Sequence, residues 1–195
     1  MFRDMRRIKQ LLSKQDTEAV LARRTSGVLA VSGDDGYPYA VPLSYVYENG
    51  KFFFHCALTG HKLDAVARNS KVSFCVIDKD TIVPEKFTTH FRSVIAFGTM
   101  RVVTDEKEKR AALEKIADKY SLDESNESRE KEISGALNRV CILELAVEHM
   151  YSSADQQADS FLAICSARLL PESFFHCFFR LPRSTARLNL ISSLQ

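Results

Sequence analysis

The sequence predicts a mainly β protein of the α+β class, an antiparallel β-barrel of about six strands with helices at its periphery. Three observations carry this. Stretches with apolar residues at a period of two recur from Gly27 to Glu148 and are separated by short turns, among them the hairpin signal Asn49-Gly50. Only one long helical pattern stands among them, so strands and helices do not alternate as they do in a parallel sheet. Finally, the strand Lys51–Cys56 (KFFFHC) is apolar on both faces, which requires cover on both.

Taken in order, Ile8 to Leu21 has helical spacing, interrupted at Ser13-Lys14-Gln15-Asp16, so two short helices are expected, with Asp16 as cap of the second. Gly27–Ser32 is a short buried strand and Gly33-Asp34-Asp35-Gly36 a turn. Tyr37–Tyr47 reads as one strand, with Tyr39, Val41, Leu43, Tyr45 and Tyr47 on one face and Ala40, Pro42, Ser44 and Val46 on the other. Pro42 has no N–H for a ladder and marks an edge or a bulge. The Asn49-Gly50 turn then leads into Lys51–Cys56, so these three strands form a meander. A short helix follows with Leu63, Val66 and Ala67 on one face, and Val72, Phe74 and Val76 resume the strand period. After a polar loop closed by Pro84, Arg92–Val103 is a long strand whose Gly98 signals a bulge or a close approach. Asp105–Tyr120 is the clearest helix, capped by Thr104 or Asp105, with Ala111, Leu113, Ile116, Ala117 and Tyr120 as its buried stripe. A weaker helix ends at Gly135, and Val140–Glu148 is the last strand.

The chain divides into a barrel domain, 1–150, and a tail, 151–195. The tail has no lysine, lacks strand alternation and is expected to be a divergent or frame-shifted terminus, poorly ordered or loosely packed, rather than a domain.

Composition bounds the function. With 195 residues, 45% hydrophobic content, 27% charged content and a formal net charge of +2, this is an ordinary globular chain without the basic excess of a nucleic-acid binder. Met1–Arg7 is charged and no apolar run follows it, so no secretion signal is expected, and no stretch has the length of a membrane span. The five cysteines are odd in number and widely spaced without a Cys-x-x-Cys pair; they read as small buried hydrophobes in a reducing, cytoplasmic setting, with no metal site.

The candidate for chemistry is the turn Thr59-Gly60-His61-Lys62. Thr59 or Gly60 caps the short helix. A lysine in a first turn opposes the helix dipole, and is accounted for if an anion, a phosphate above all, sits there with the backbone amides and the histidine. A solvated lysine beside a surface histidine is the alternative.

Four pieces then stand in order: Gly27-x-Leu29-Ala30; Gly36-x-Pro38-Tyr39-x-x-Pro42-x-x-Tyr45; Phe54-His55-x-Ala57-x-x-Gly60-His61-Lys62-x-Asp64; and Phe87-Thr88-Thr89-x-Phe91-Arg92-Ser93-Val94-x-x-Phe97-Gly98. Together they resemble the pyridoxamine 5′-phosphate oxidase-like flavoproteins, nearest the branch related to nitroimidazole-resistance (Nim) proteins, over roughly residues 5–150. The resemblance implies a six-stranded split β-barrel that forms a homodimer with FMN in two interface clefts, strands apolar on both faces having the barrel interior on one side and the partner on the other. It implies a phosphate site at Gly60, His61 and Lys62. It places Tyr39, Val41, Pro42 and Ser44 along the isoalloxazine ring, with His55, Cys56 and Ala57 at the end of the next strand. Arg92 and Ser93, assisted by Thr88, would reach the phosphate side.

The activity implied is that of an oxidoreductase reducing small molecules, nitroaromatic compounds among them, with a nicotinamide or other reductant. His55 and His61 are the side chains with a pKa suited to proton transfer. A flavin carrier without turnover, and a haem-binding barrel using His149 or His176 as axial ligand, are the competing readings. The tail departs from the family pattern after Met150.

Overall fold

A computed structural model describes residues 2–155, all within one compact unit. Helix α1 (Lys14–Arg23) leads into β1 (Ser26–Ser32), β2 (Pro38–Ser44), β3 (Val46–Glu48) and β4 (Lys51–Cys56). Helix α2 (His61–Arg68) follows, then β5 (Lys71–Val83), β6 (Thr88–Val103), α3 (Glu106–Tyr120), α4 (Asn126–Ala136) and β7 (Cys141–Ala154). The seven strands form one sheet in the order β2-β1-β5-β6-β7-β4-β3, with every pairing antiparallel.

The two end strands of that order, β2 and β3, are joined in the chain by Tyr45 alone. One residue spans only a few ångströms (about 7 Å between its two neighbours' Cα atoms at most), so the sheet must curl until its ends meet. The result is the predicted split barrel, with seven strands instead of six. The extra strand comes from Tyr37–Tyr47, which is two strands and not one. At the break both Tyr45 and Val46 are buried, so alternation fails there. Tyr45 turns its ring into the core, edge-on to Phe74 at 5.2 Å, and its hydroxyl donates to the Leu21 carbonyl at 3.0 Å. The break is pinned from α3: the Tyr45 amide donates to the Tyr120 hydroxyl at 3.0 Å, and that hydroxyl lies 2.6 Å from the Thr25 carbonyl and 2.7 Å from the Tyr45 carbonyl. The expected meander is therefore two hairpins, β1–β2 and β3–β4, at opposite ends of the strand order.

The barrel core joins Leu29, Phe52, Phe54, Phe74, Leu143 and Leu145 with Val20 and Leu21 of α1 and Ala65 and Val66 of α2. A second cluster lies where α3 and α4 cover the sheet: Val103, Ala112, Leu113, Ile133 and Ile142, with Phe53 packed against it. Strand β4 is thus covered on both faces as its composition demands, but at Phe53 the outer cover is the chain's own helices. Lys115 Nζ stands 5.2 Å from the Phe53 ring.

Some local expectations are corrected and others are met. Ser13, not Asp16, caps α1: the Asp16 amide donates to Ser13 Oγ at 3.0 Å, and residues 8–10 form only a 3-10 turn. Asp105 caps α3 through the Glu108 amide at 2.9 Å. The buried stripe of α3 runs through Ala112 while Ala111 is exposed, a phase error of one residue between two alanines. Gly98 serves both purposes its position suggested. The β6–β7 register shifts between Phe97 and Gly98, and a Cβ at Gly98 would stand 2.0 Å from the Ala146 carbonyl oxygen. Strand β7 runs on to Ala154, past the boundary expected at residue 150; the rest of the expected tail, from residue 156 and including His176, lies outside the described residues.

Candidate functional site

Helix α2 begins at the predicted turn, and its N-cap is Gly60. There φ is +135°, a conformation that any residue with a Cβ adopts only under strain. Glycine brings no side-chain acceptor, so the helix starts without a side-chain cap, and the Gly60 carbonyl accepts from the Leu63 amide at 2.9 Å and the Asp64 amide at 3.2 Å. The residues that follow are fixed by an unforeseen partner. His61 stacks on Tyr39, with ring centroids 4.2 Å apart and planes at 16°, and its Nε2 lies 3.3 Å from Asp34 Oδ2. Arg68, at the other end of the helix, donates to Asp34 Oδ1 at 2.6 Å. Asp34 in the β1–β2 turn therefore holds both ends of α2 to the first hairpin.

Lys62 stands beside the end of β4. Burial lowers the pKa of His55, and the positive charge of Lys62 lowers it further. Burial pushes the Cys56 thiol up to about 11 against the opposing pull of Lys62. Cys56 points into the core and its thiol meets that of Cys141, its register partner on β7. His55 points to the outer side and is half-buried, and Ala57 begins the exposed loop 57–60.

On β2 the predicted residues split between two faces. Tyr39 and Val41 pack against the barrel core, while Pro42 and Ser44 face outward and are exposed. A ring lying along the outside of this strand meets Pro42 and Ser44 directly, and Val41 only through its backbone. Pro42 lies on β2, an end strand of the order, and pairs in register with Val28 of β1, a position its missing N–H permits.

The β6 residues gather elsewhere. Ser93 pairs with Ile77 and Ser153 on the outer face. Arg92 belongs to a cluster around Asp78, only 6% exposed, whose Oδ2 lies 3.6 Å from Arg92 Nη1. Arg23 pairs with Asp78 through two nitrogens, and Arg24 Nε donates to it at 2.7 Å. Burial alone would raise the Asp78 pKa; the hydrogen bonds and charges of Arg23 and Arg24 outweigh it and hold the carboxyl below its usual range. Thr88 opens β6 opposite Val83, at the tip of a two-stranded ribbon beyond a bulge at Ile77/Lys79. The adjacent Phe87 is 98% exposed.

The predicted residues thus scatter: Gly60, His61 and Lys62 lie with His55, Cys56, Ala57 and Tyr39; Val41 lies on the core face of β2; Pro42 and Ser44 lie on its outer face; Arg92 lies with Asp78 and beside Ser93; and Thr88 is alone at the ribbon tip. A cavity of about 640 Å³ on the outer face of β1, β5 and β6, walled by Phe2, Tyr37 and Phe97 with Lys71 and Glu148 at its polar side, contains none of them. Sequence reasoning missed Asp34, Asp78, Arg23, Arg24 and Cys141. Asp34 was visible only as a turn residue, and nothing in the sequence pairs Asp78 with arginines 54 and 55 positions away. Among the described residues no three His, Cys, Asp or Glu side chains gather to hold a metal, and no helix is long and apolar enough to cross a membrane.

Comparison with known proteins bears on the fold and the family. No curated protein matches the chain. Solved structures do. One is a Bacteroides thetaiotaomicron protein provisionally assigned to 5-nitroimidazole antibiotic resistance, 24% identical, with 73% of this chain and 84% of that one covered at a TM-score of 0.62. Another is a conserved hypothetical protein of Mycobacterium tuberculosis, 17% identical, covering 94% of this chain and 100% of that one at 0.69. A third is a FAD- and haem-binding protein of Mycobacterium smegmatis, 18% identical, covering 96% and 94% at 0.62. At these identities the likeness is one of fold. The sequence itself goes further, since the pyridoxamine 5′-phosphate oxidase family model matches residues 13–151, and the chain belongs to that family.

Proposed function

We propose that this protein is an FMN-dependent oxidoreductase of small molecules, nitroaromatic compounds among them, that works as a cytoplasmic homodimer with a flavin in each interface cleft. The observation that carries the reading is the start of α2. A helix without a side-chain cap presents free amides and the positive end of its dipole, and Lys62 adds a full charge in the first turn. Such a start is unfavourable by itself and favourable around a phosphate. The residues suit FMN: Gly60 and Lys62 hold the phosphate, His61 is braced by Tyr39 and Asp34, and Pro42 and Ser44 offer an outward surface to the ring.

The homodimer accounts for the scatter of the other predicted residues. β5 begins three residues after α2 and runs for 13 residues to the ribbon, a contour of about 40 Å. In this reading Thr88, at that tip, completes with Arg92 and Ser93 the cleft of the second subunit, while Gly60, His61 and Lys62 serve the first.

FMN when bound supplies the hydride and electron chemistry. This chain's residues bind and orient it, shield it from water, and manage the accompanying proton. Burial and the charge of Lys62 lower the His55 pKa and so favour its neutral form, which makes it a weaker base than a free imidazole. His61, stacked and paired with Asp34, is a brace.

The absorption spectrum of the purified protein, with identification of the released chromophore, tests the reading. Bleaching by NAD(P)H without oxygen separates an enzyme from a carrier. Lys62→Ala should weaken FMN binding, followed by flavin fluorescence, by about ten- to a hundredfold, or about 1.5–3 kcal/mol; unchanged affinity would place the phosphate elsewhere.

One observation favours a second reading, a haem-binding barrel. His149 Nε2 is buried without a hydrogen-bond partner, and its ring is stacked on Phe2 at 4.7 Å and edge-on to Tyr151 at 4.5 Å. An unpaired imidazole nitrogen is a ligand in waiting. A Soret band lost in His149→Ala would decide for it.

A further inference from the structure

We propose that Cys56 and Cys141 are a redox site, two thiols that hydrogen peroxide converts to a reversible cross-strand disulfide between β4 and β7. The residues are direct register partners at the end of β4 and the start of β7. Opposite residues of an antiparallel pair have Cα atoms about 4.5–5.5 Å apart, inside the range of about 4.4–6.8 Å that a disulfide spans. Both side chains turn into the same core cluster, so the two sulfurs face one another across the pair. Burial raises the Cys141 pKa, and the neighbouring Cys56 thiol and the charges of Lys109 and Lys62 offset only part of that rise. Cys75 has no such partner in the register: it lies opposite Val28 and Ile95.

Both residues are buried, which sets the chemistry. Bulky oxidants are excluded and peroxide is small. The Cys141 sulfur attacks one peroxide oxygen, the O–O bond breaks, and a sulfenic acid and a water result. The Cys56 sulfur then attacks the Cys141 sulfur, the S–O bond breaks, and the hydroxyl leaves as a second water with the Cys56 proton. Two thiols and one peroxide become one disulfide and two waters; the sulfurs lose two electrons and the peroxide oxygens gain them. The first step is slow for a buried thiol, and the second is fast because the partner is in contact. The new bond ties down the point from which loop 57–60 leaves for α2.

The test uses the full chain, reduced, then treated with hydrogen peroxide, blocked with an alkylating reagent under denaturing conditions and digested. The expected result is one crosslinked pair of peptides containing Cys56 and Cys141, reversed by dithiothreitol, with a rise in Tm of about 5–15 °C in the oxidised protein. Cys141→Ser should abolish both the crosslink and the rise. Recovery of both cysteines as alkylated thiols, their separate oxidation to sulfinic acids, or pairing of either with Cys75, Cys165 or Cys177 would overturn the proposal. The crosslink is read in the wild-type protein, so a variant that fails to fold does not remove the test.

Discussion

Asp78→Asn is the substitution whose consequences the structure fixes most fully. Asp78 is a buried carboxylate facing three guanidinium groups, with Arg24 at 2.7 Å and Arg92 at 3.6 Å. Removing one partner of a buried ion pair costs about 3–5 kcal/mol, because the remaining charges are left uncompensated. Here the charges left behind differ. The side chains of Arg23 and Arg24 are 43% and 45% exposed and rehydrate readily, whereas that of Arg92, at 14% exposed, is less open to water. Asparagine also keeps one oxygen to accept from an arginine. The loss should therefore lie at or below the low end, about 2–3 kcal/mol, or roughly 4–12 °C in Tm for a chain of this size.

The same carboxyl has a pH signature. Its pKa is depressed in the folded state, so its contribution is fully present above the unfolded value, about 3.9, and is lost as pH falls through the folded value. Urea unfolding of both proteins at pH 7 and at successive steps below pH 4 is the assay. The gap between wild type and Asp78→Asn should be widest at pH 7 and close as the pH falls. A gap below about 0.5 kcal/mol at pH 7, or one that stays constant into acid, would refute the reasoning about this cluster.

Other expectations follow from single features. Tyr120→Phe removes the hydroxyl that pins the strand break and leaves the Tyr45 amide without its acceptor, so it should cost about 1–3 kcal/mol in urea unfolding. Truncation after Asp155 keeps the whole of β7 and every predicted flavin contact, so flavin fluorescence titration should give an affinity within about threefold of the full chain. A larger loss would assign the tail a part in the site.

The fold was legible where pattern is local. The period-two strands, the Asn49-Gly50 turn, the long helix α3 and the demands of Gly98 and Pro42 all rest on neighbours within a few residues. The miscount of strands came from Tyr45, whose side chain turns inward next to an inward Val46; alternation cannot announce its own interruption. Ala111 and Ala112 carry no size difference to set the phase of α3, so only packing decides between them. The site was legible in part. The turn Gly60-His61-Lys62 announced itself through a charge in the wrong place. The partners that give it shape, Asp34 against His61 and Lys62 against His55, join segments that only the folded barrel brings together. Arg92 was singled out, but its surroundings were not, because three arginines on one aspartate depend on the β5–β6 register and the end of α1.

Strand β4 has a further consequence for how the chain is made. It pairs with β3, which is emerging beside it, and with β7, which begins 85 positions later. On the ribosome β4 therefore waits, with one row of amides and carbonyls open, while α2, β5, β6, α3 and α4 are all synthesised. Phe52 and Phe54, wholly buried in the finished molecule, have no roof from β7 during that interval. An open edge flanked by phenylalanines invites pairing with another chain. Until β7 has emerged that edge stays open, so the stretch of synthesis between Cys56 and Cys141 is the stage at which this fold is most exposed to wrong pairing.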